Sequence, residues 1–211
     1  MIDSDVVLAE DTRSYQKLLT GILKIFNLSP KQGQKLISYY KEVEFEKLPE
    51  VLQYLVSGLN VSLVSDAGTP LISDPGYLLL SKALERNIPY DSVPGPSSVT
   101  NALVLSGFQS KKWMFLGFFP KKRNDLTKLL NSLSEISAID KDIVFIAFES
   151  SQRINESLRT LSEVKREVKV AVIREMTKKF QEVVRGKPEE LLKREFRGEI
   201  VLVFRLEGGK S

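Results

Sequence analysis

Two residue types that carry much of enzyme chemistry are missing, because the 211-residue chain contains no cysteine and no histidine. The lack of cysteine excludes disulfides, thiolate metal sites and thiol nucleophiles. The lack of histidine removes the commonest metal ligand and the usual general base. We therefore predict no metal site, and we expect proton transfer to use carboxylates, lysine, tyrosine or groups of the substrate.

Long apolar runs are missing as well. None approaches the roughly 18 residues that a membrane-spanning helix needs, and no signal-peptide-like apolar segment opens the chain. Hydrophobic residues make up 42% and charged residues 27% of the sequence, which is ordinary for a globular protein and argues against wholesale disorder. We expect a cytoplasmic protein.

The chain is mildly basic, with a formal net charge of +4. A solvated surface rich in lysine and glutamate explains this balance, and so does an anionic macromolecular partner, which requires basic residues on one face. The basic clusters in the sequence are Lys111 with Lys112, Lys121 with Lys122 and Arg123, and Lys178 with Lys179.

Strand-like and helix-like patterns alternate along the chain, which is typical of an α/β protein. A polar, basic break at 121–125 leads us to place a domain boundary before it, giving two α/β domains, 1–112 and 113–211. The patterns predict strands at 5–9, 35–39, 61–65, 90–93, 113–119, 143–148, 168–173 and 200–205.

Helices are predicted between most of these strands. Pro49 is expected in or near the first turn of the second helix, and Gly107 is expected to end the fourth. The aromatic segment 113–119 is interpreted as a core strand or an inter-domain contact, in preference to a base-stacking surface.

The loop at 66–70 follows a strand, at the edge where open α/β sheets bind ligands. Gly68 allows close approach of a ligand or a positive φ, and Pro70 stiffens the exit. Backbone N–H groups and the Thr69 hydroxyl could bind an amino-acid carboxylate. A plain tight turn has the same composition, so the residues alone leave both interpretations open.

The loop at 94–98 is open to two interpretations as well. It is a rigid strand-to-helix connection with a serine cap, or a ligand loop at a helix N-terminus, and the two are compatible. Neither loop matches the dinucleotide pattern or a Walker A loop, so nucleotide hydrolysis has no support.

Charged residues follow three predicted strands. Acidic residues at 10–11 are typical helix caps and dipole partners, and the same ambiguity holds at 148–151. At 174–178 charges of both signs crowd beyond a buried strand, for which a surface ion pair is the simple explanation.

Taken together, these segments resemble one family. AEDTR, SDAGTPLISDPG, VPGPSS, GFFPKK, FESSQRI, REMTKK and GEIVLV occur in the order found in ribosomal RNA small subunit methyltransferases I, a branch of the tetrapyrrole (precorrin) methylase superfamily. The resemblance covers nearly the whole chain. The long motif at 65–76 is specific, and the combination of seven motifs is very specific.

The resemblance implies a two-domain α/β fold with mixed sheets flanked by helices, and a homodimer. It also implies that S-adenosyl-L-methionine is held in a cleft between domains and that a cytidine ribose of 16S ribosomal RNA is methylated at the 2′-hydroxyl. The residues implied to bind the cofactor are Asp66, Ala67, Gly68, Thr69, Pro70, Pro94, Gly95, Ser97, Ser98, Phe148, Glu149 and Arg174.

Two departures from the family are expected to matter. Family members carry an opening strand, glycine loop and helix before the strand at Val6, about 30 residues that are expected to be missing here. Some members also carry a small C-terminal extension, which is not seen at Ser211. The alternatives are a related methyltransferase acting on another substrate, such as a tetrapyrrole or modified elongation factor, and an inactive remnant that binds RNA or ligand.

A ribose hydroxyl benefits from a general base during methyl transfer. Our hypothesis is that AEDTR and REMTK face the RNA and that SDAGTP faces the cofactor. The candidate bases are Glu10, Asp11, Asp66, Glu149, Glu175 and a lysine of lowered pKa such as Lys178. The catalytic residues predicted are Glu10, Asp11, Arg13, Arg174 and Glu175, and the predicted RNA contacts are Lys121, Lys122, Arg123 and Lys178.

Overall fold

The structure is a computed structural model that describes residues 1–66, 68–109, 111–164 and 167–206. The chain divides into two compact units, Met1–Pro96 and Ser97–Ser211. Within the described ranges, no helix is long and apolar enough to cross a membrane.

The first unit is a parallel three-stranded sheet with the order β2-β1-β3. The central strand is buried along its whole length. Its elements are β1 (Val6–Ala9), α1 (Thr12–Phe26), β2 (Lys35–Ser38), α2 (Glu44–Val56), β3 (Val61–Val64) and α3 (Tyr77–Glu85).

Both faces of this sheet are covered, as parallel sheets require. On one face Val6 and Leu8 belong to a cluster with Val51 of α2 and Leu79 of α3. On the other face Val7 and Ala9 pack with Tyr15 of α1 and its neighbours. The alternation along β1 therefore places helices on both sides of the sheet.

The second unit is a five-stranded mixed sheet with the order β4-β5-β8-β6-β7. Only β4 and β5 are parallel, and the other neighbours are antiparallel. Its elements are α4 (Ser98–Ser106), β4 (Trp113–Phe118), α5 (Arg123–Ile139), β5 (Val144–Ser150), α6 (Ile154–Val164), β6 (Val168–Arg174), β7 (Glu182–Gly186), α7 (Pro188–Leu191) and β8 (Glu199–Leu206).

The two units divide earlier than the predicted boundary at 112/113, because α4 packs on the second sheet. Val99 and Ala102 belong to a buried cluster with Ile146 and Val203. Arg185 of β7 donates to the carbonyls at the C-terminal end of α4, with 2.7 Å to the oxygen of Ser106. Packing and capping together place this helix in the second unit.

The predicted α/β class and most predicted elements are confirmed, and three details are corrected. No strand forms at 90–93: Tyr90 and Val93 are 62% and 90% exposed, and without a neighbouring strand an extended segment has nothing to pair with. Pro49 lies in the second turn of α2, since that helix already begins at Glu44. The strand β7 was missed.

Candidate ligand-binding site

In the first unit, the ends of β1 and β3 bring the AEDTR and SDAGTP segments together. The two strands are neighbours with Ala9 opposite Val64, so Glu10 and Ser65 leave the sheet at the same edge. Burial raises the pKa of half-buried Asp74, and the nearby carboxylates of Glu10 and Asp66 raise it further, while a hydrogen bond with Ser65 opposes them.

The loop between β3 and α3 has an unusual backbone. Gly68 and Gly76 have φ of 77° and 120°, and the non-glycine residues Leu71 and Ser73 both have φ of 71°. A Cβ at Gly76 would overlap the side chain of Leu63. Left-handed non-glycine residues are strained and are often found at functional sites, so the backbone agrees with a ligand loop and does not by itself decide between that interpretation and a tight turn.

Of the cofactor contacts predicted in this loop, Asp66 and Gly68 are exposed, and Thr69 and Pro70 are half-buried. Ala67 lies outside the described residues. The loop is anchored from α2, because the Glu44 carboxylate accepts hydrogen bonds from the backbone N–H of Gly76 at 3.0 Å and of Leu78 at 3.1 Å.

Asp11 is the N-cap of α1. Its carboxylate accepts hydrogen bonds from the backbone N–H of Arg13 at 2.7 Å and of Ser14 at 3.2 Å. The bonds from Ser14 and Arg13 lower the pKa of Asp11. Because its pKa is lowered, the Asp11 carboxylate is a poor proton acceptor. Arg13 lies in the first turn of α1, and its side chain is exposed.

The predicted contacts at 94–98 lie on an exposed connection. Pro94, Gly95 and Ser98 are exposed and Ser97 is half-buried. Ser97 is the N-cap of α4, yet its side chain makes no capping hydrogen bond. The backbone geometry of a capped helix start is therefore present, whereas the predicted hydroxyl cap is not.

In the second unit, the end of the sheet forms an open depression of about 500 Å³. The antiparallel pairing sets Ser150 opposite Glu199 and Arg174 opposite Ile200, so the ends of β5 and β6 meet the start of β8. Its lining residues come from four of the sequence motifs: Phe118, Glu149, Ser150, Ser151, Gln152, Glu175, Lys178, Gly198 and Glu199.

Glu175 closes one side of the depression. It has a φ of 47°, its backbone N–H donates to the Glu199 carbonyl at 3.0 Å, and its carboxylate accepts from the Glu199 N–H at 2.9 Å. The Glu199 hydrogen bond, together with Lys178, lowers the pKa of Glu175. Gly198 has a φ of 86° and leaves the space that the carboxylate occupies.

Lys178 lies 2.9 Å from the carboxylate of Glu199 and 3.3 Å from that of Glu175. These carboxylates, Glu199 foremost, raise the pKa of Lys178. The expectation of a lysine with a lowered pKa is therefore wrong for this residue, since two carboxylates stabilise its charged form.

Beneath the depression lies a buried ion pair. The Glu149 side chain has no exposed surface, and its carboxylate lies 2.7 Å from the Arg153 guanidinium. Ser157 donates to it at 2.5 Å and the Ser150 N–H at 2.7 Å. Arg153 also donates to the carbonyls of Phe119 and Pro120, so it joins the ends of β4 and β5.

The other predicted contacts of this unit are already engaged with neighbours. Arg174 donates to the carboxylate of Glu182, its partner on β7, at 2.7 Å. The ring of Phe148 makes edge-to-face contacts with Phe115 and Phe118. These contacts are with residues of the protein itself, so the predicted ligand roles of Arg174, Phe148 and Glu149 stay predictions.

The basic segment 121–123 lies at the start of α5. Lys121 and Lys122 are exposed, and Lys122 is the N-cap residue. Arg123 forms an exposed ion pair with Glu163 at 2.5 Å. Among the described residues, no group of three or more histidine, cysteine or acidic side chains could hold a metal ion.

Three residues of these sites were missed in the sequence. Asp74 stands in the SDPG part of the long motif, and Arg153 follows Glu149 by four residues within FESSQR. Gly198 precedes the start of β8. The spacing of four residues from Glu149 to Arg153 could have predicted an ion pair. No residue close to Gly198 in the sequence indicates that the Glu175 carboxylate lies against it.

The depression can hold a polar ligand that carries positive charge. The charged groups on its wall that face one another are the half-buried carboxylate of Glu175, the exposed carboxylate of Glu199 and the ammonium of Lys178. Ser150, Ser151 and Gln152 add hydrogen-bonding groups. Its volume falls within the roughly 300–1,000 Å³ of small-molecule sites, so the residues and the space suit one small ligand.

Comparison with known proteins places these features in context. Residues 2–192 match the family described as Tetrapyrrole (Corrin/Porphyrin) Methylases. The chain is 38% identical over 206 residues to the ribosomal RNA small subunit methyltransferase I of Hydrogenobaculum sp. (strain Y04AAS1), covering 95% of this chain and 84% of that protein.

Solved structures share the fold at low sequence identity. The methyltransferase CobJ matches with a TM-score of 0.64 and 15% identity, covering 99% of this chain and 97% of that one. Uroporphyrin-III C-methyl transferase from Thermus thermophilus, complexed with S-adenyl homocysteine, matches with a TM-score of 0.57 and 16% identity, covering 96% and 85%.

Proposed function

Because the chain belongs to the tetrapyrrole (corrin/porphyrin) methylase family, we propose that it methylates a cytidine ribose 2′-hydroxyl of 16S ribosomal RNA, with S-adenosyl-L-methionine as the methyl donor. The observation that carries the proposal is the meeting of GFFPKK, FESSQRI, REMTKK and GEIVLV at one depression. The name of the relative that is 38% identical supports ribosomal RNA as the substrate.

The chemistry of the depression suits the methyl donor. When bound, S-adenosyl-L-methionine supplies an electrophilic methyl group on a positively charged sulfur. Glu175 and Glu199 would favour positive charge and accept hydrogen bonds from hydroxyl or ammonium groups, and Lys178 would pair with a carboxylate. The serines and Gln152 would complete the hydrogen bonds, and positioning is the main contribution of the protein.

Within the predicted catalytic set, Glu10 is the residue that we propose as proton acceptor. Asp11 caps α1, Arg174 is paired with Glu182, and Glu175 is held by Glu199 and Lys178. Methyl transfer would form the bond from the ribose oxygen to the methyl carbon and break the bond from that carbon to sulfur, so that S-adenosylhomocysteine leaves, and Glu10 would take the hydroxyl proton. Arg13, in the first turn of α1, would help to hold the RNA.

We also propose that RNA phosphates contact Lys121 and Lys122 rather than Lys178. Both lysines are exposed, whereas Lys178 is held by two carboxylates in an acidic wall that repels phosphate.

A homodimer in the cytoplasm is proposed as the working form. Light scattering on the purified protein tests the assembly.

The decisive experiment supplies the purified chain with S-adenosyl-L-methionine carrying a radioactive methyl group and with unmodified small ribosomal subunits. We expect label in 2′-O-methylcytidine after complete nuclease digestion of the RNA. A Glu10→Gln variant should lose most of the rate while it still binds S-adenosylhomocysteine, and Glu195→Gln, an exposed carboxylate outside the depression, should match the wild type.

Label on a base, on protein or on an added uroporphyrinogen, with none on ribose, would replace the proposal by another methyltransferase activity. Binding of S-adenosylhomocysteine without transfer to any of these acceptors would favour a binding protein. Equal rates of the wild type and Glu10→Gln over the whole pH range would exclude Glu10 as the proton acceptor.

A further inference from the structure

Phe118 lines the depression and is 59% exposed, although a phenyl ring favours burial. The next residue, Phe119, shows the ordinary behaviour and is 1% exposed. An aromatic ring left open in a concave, polar site is the arrangement on which planar ligands stack.

A β-bulge turns this side chain toward the depression. Between two pairs of partners, β4 advances three residues from Phe115 to Phe118, while β5 advances two residues from Ile146 to Phe148. The extra residue is accommodated at Gly117, which has a φ of 67°. Side chains alternate along a strand, so without the bulge Phe115 and Phe118 would lie on opposite faces.

The bulge also places three rings in contact. The centroid of Phe148 lies 4.9 Å from that of Phe115 and 5.3 Å from that of Phe118, and both pairs are edge-to-face. Contact with Phe148 restrains the Phe118 ring before any ligand arrives. Less side-chain freedom is then lost on binding, which favours a ring that acts as a binding surface.

The groups around Phe118 narrow the chemistry of its ligand. Ser150, Ser151 and Gln152 offer the hydrogen-bond donors and acceptors that match the edge of a nucleobase. Glu175 and Glu199 disfavour a phosphate at the same place. A planar, uncharged ring with polar edges fits this combination better than a phosphate or a purely apolar group.

We propose that Phe118 stacks against a nucleobase ring, supplied either by the adenine of the methyl donor or by a base of the RNA. The inference deepens the proposed function and rests on it. The bulge at Gly117 turns the ring of Phe118 toward the depression, and edge-to-face contact with Phe148 restrains it.

The test compares Phe118→Leu, which keeps an apolar side chain without the aromatic face, with Phe118→Tyr, which keeps the ring. Phe180→Leu is the matched control, because Phe180 is 64% exposed in the same unit and does not line the depression. Calorimetry measures binding of adenosine and of S-adenosylhomocysteine, and initial rates give kcat and KM for small ribosomal subunits.

Loss of a stacked base corresponds to roughly a tenfold change in affinity. If adenine is the ring, Phe118→Leu should weaken both adenosine and S-adenosylhomocysteine about tenfold. If an RNA base is the ring, only KM for the subunits should rise. In either case Phe118→Tyr and Phe180→Leu should stay close to the wild type.

Unchanged nucleoside affinity and unchanged KM in Phe118→Leu overturn the stacking proposal, even when the wild type methylates RNA. If the wild type binds adenosine, Phe118→Leu does not, and neither transfers a methyl group to RNA, the stacking proposal is supported and the proposed reaction is rejected. A wild type that binds no probe and methylates nothing overturns both.

Discussion

The carboxylate of Glu175 occupies the space above the Cα atom of Gly198. A Cβ atom at position 198 would lie 2.7 Å from Cγ of Glu175 and would overlap its carboxylate. The carboxylate in turn accepts the Glu199 N–H at 2.9 Å, at the start of β8. Because Gly198 has no side chain, the Glu175 carboxylate at the end of β6 can bind the start of β8 at the edge of the depression.

Gly198→Ala should destabilise the protein, because alanine at a φ of 86° is strained and displaces the Glu175 carboxylate. We expect a loss of about 1–3 kcal/mol in the free energy of unfolding, measured by urea denaturation. Gly58→Ala is the control, since Gly58 has a φ of 81° and nothing within 4 Å of a Cβ. Equal losses at the two positions would show that Glu175 is irrelevant.

Arg153→Met should be strongly destabilising, because it leaves the Glu149 carboxylate buried without its cation. Breaking such a pair costs about 3–5 kcal/mol, and thermal or urea unfolding measures the loss. Arg159→Met, an exposed change in the helix α6 that follows Arg153, should have little effect. A double variant Glu149→Leu/Arg153→Met should recover part of the loss, and no recovery would argue against the unpaired charge as its cause.

Asp11 should make stability depend on pH in the acid range. Its pKa is lowered from the reference value of 3.8 by the Ser14 and Arg13 N–H groups, so its contribution is complete above that value. The contribution is lost as pH falls through the lower folded pKa. Asp11→Ala should therefore be less stable than the wild type at pH 7, and the difference in melting temperature should shrink below about pH 4. A difference that is the same at every pH would reject the charged cap.

Asp74 should make the stability of the protein depend on pH in the opposite direction. Burial raises its pKa above the reference value of 3.8, helped by the Glu10 and Asp66 carboxylates. The protonated form is favoured in the folded protein, so stability present below that value is lost as pH rises through the folded pKa. Asp74→Asn should gain stability over the wild type as pH rises from the acid range to neutrality. Parallel pH profiles of the two proteins would contradict the raised pKa.

Lys121→Ala/Lys122→Ala should reduce the salt dependence of RNA binding. Each phosphate contact to single-stranded RNA contributes about 0.7 to the slope of log affinity against log salt, so two lost contacts should lower the slope by roughly 1.4. Filter binding at several salt concentrations measures it. Lys141→Ala/Lys193→Ala controls for net charge, and an identical slope in both double variants would place the RNA elsewhere.

Local sequence patterns were sufficient for most elements. The apolar spacing in α2 and the buried run of β5 predicted a helix and a strand, and Asp11 before α1 predicted a cap that the structure confirms. These features depend on residues within a few positions of one another. Such short-range rules hold wherever the segment lies in the fold.

Contacts between residues distant in the sequence decided the features that local patterns failed to predict. The strand at 90–93 was wrong and β7 was missed, because a strand requires a neighbour that local sequence does not reveal. Lys178 was expected to have a lowered pKa and has a raised one, since Glu199, 21 positions away in the sequence, reaches it only in the folded chain.

The sequence by itself determined the α/β class, the alternation of elements and the family to which the motifs belong. Only the tertiary structure decided which motifs meet. Pairing of β5, β6 and β8 brings Glu149, Glu175 and Glu199 to one edge, and a single-residue bulge at Gly117 chooses the face of Phe118. Strand register and side-chain direction depend on contacts between distant residues, so no local pattern could specify them.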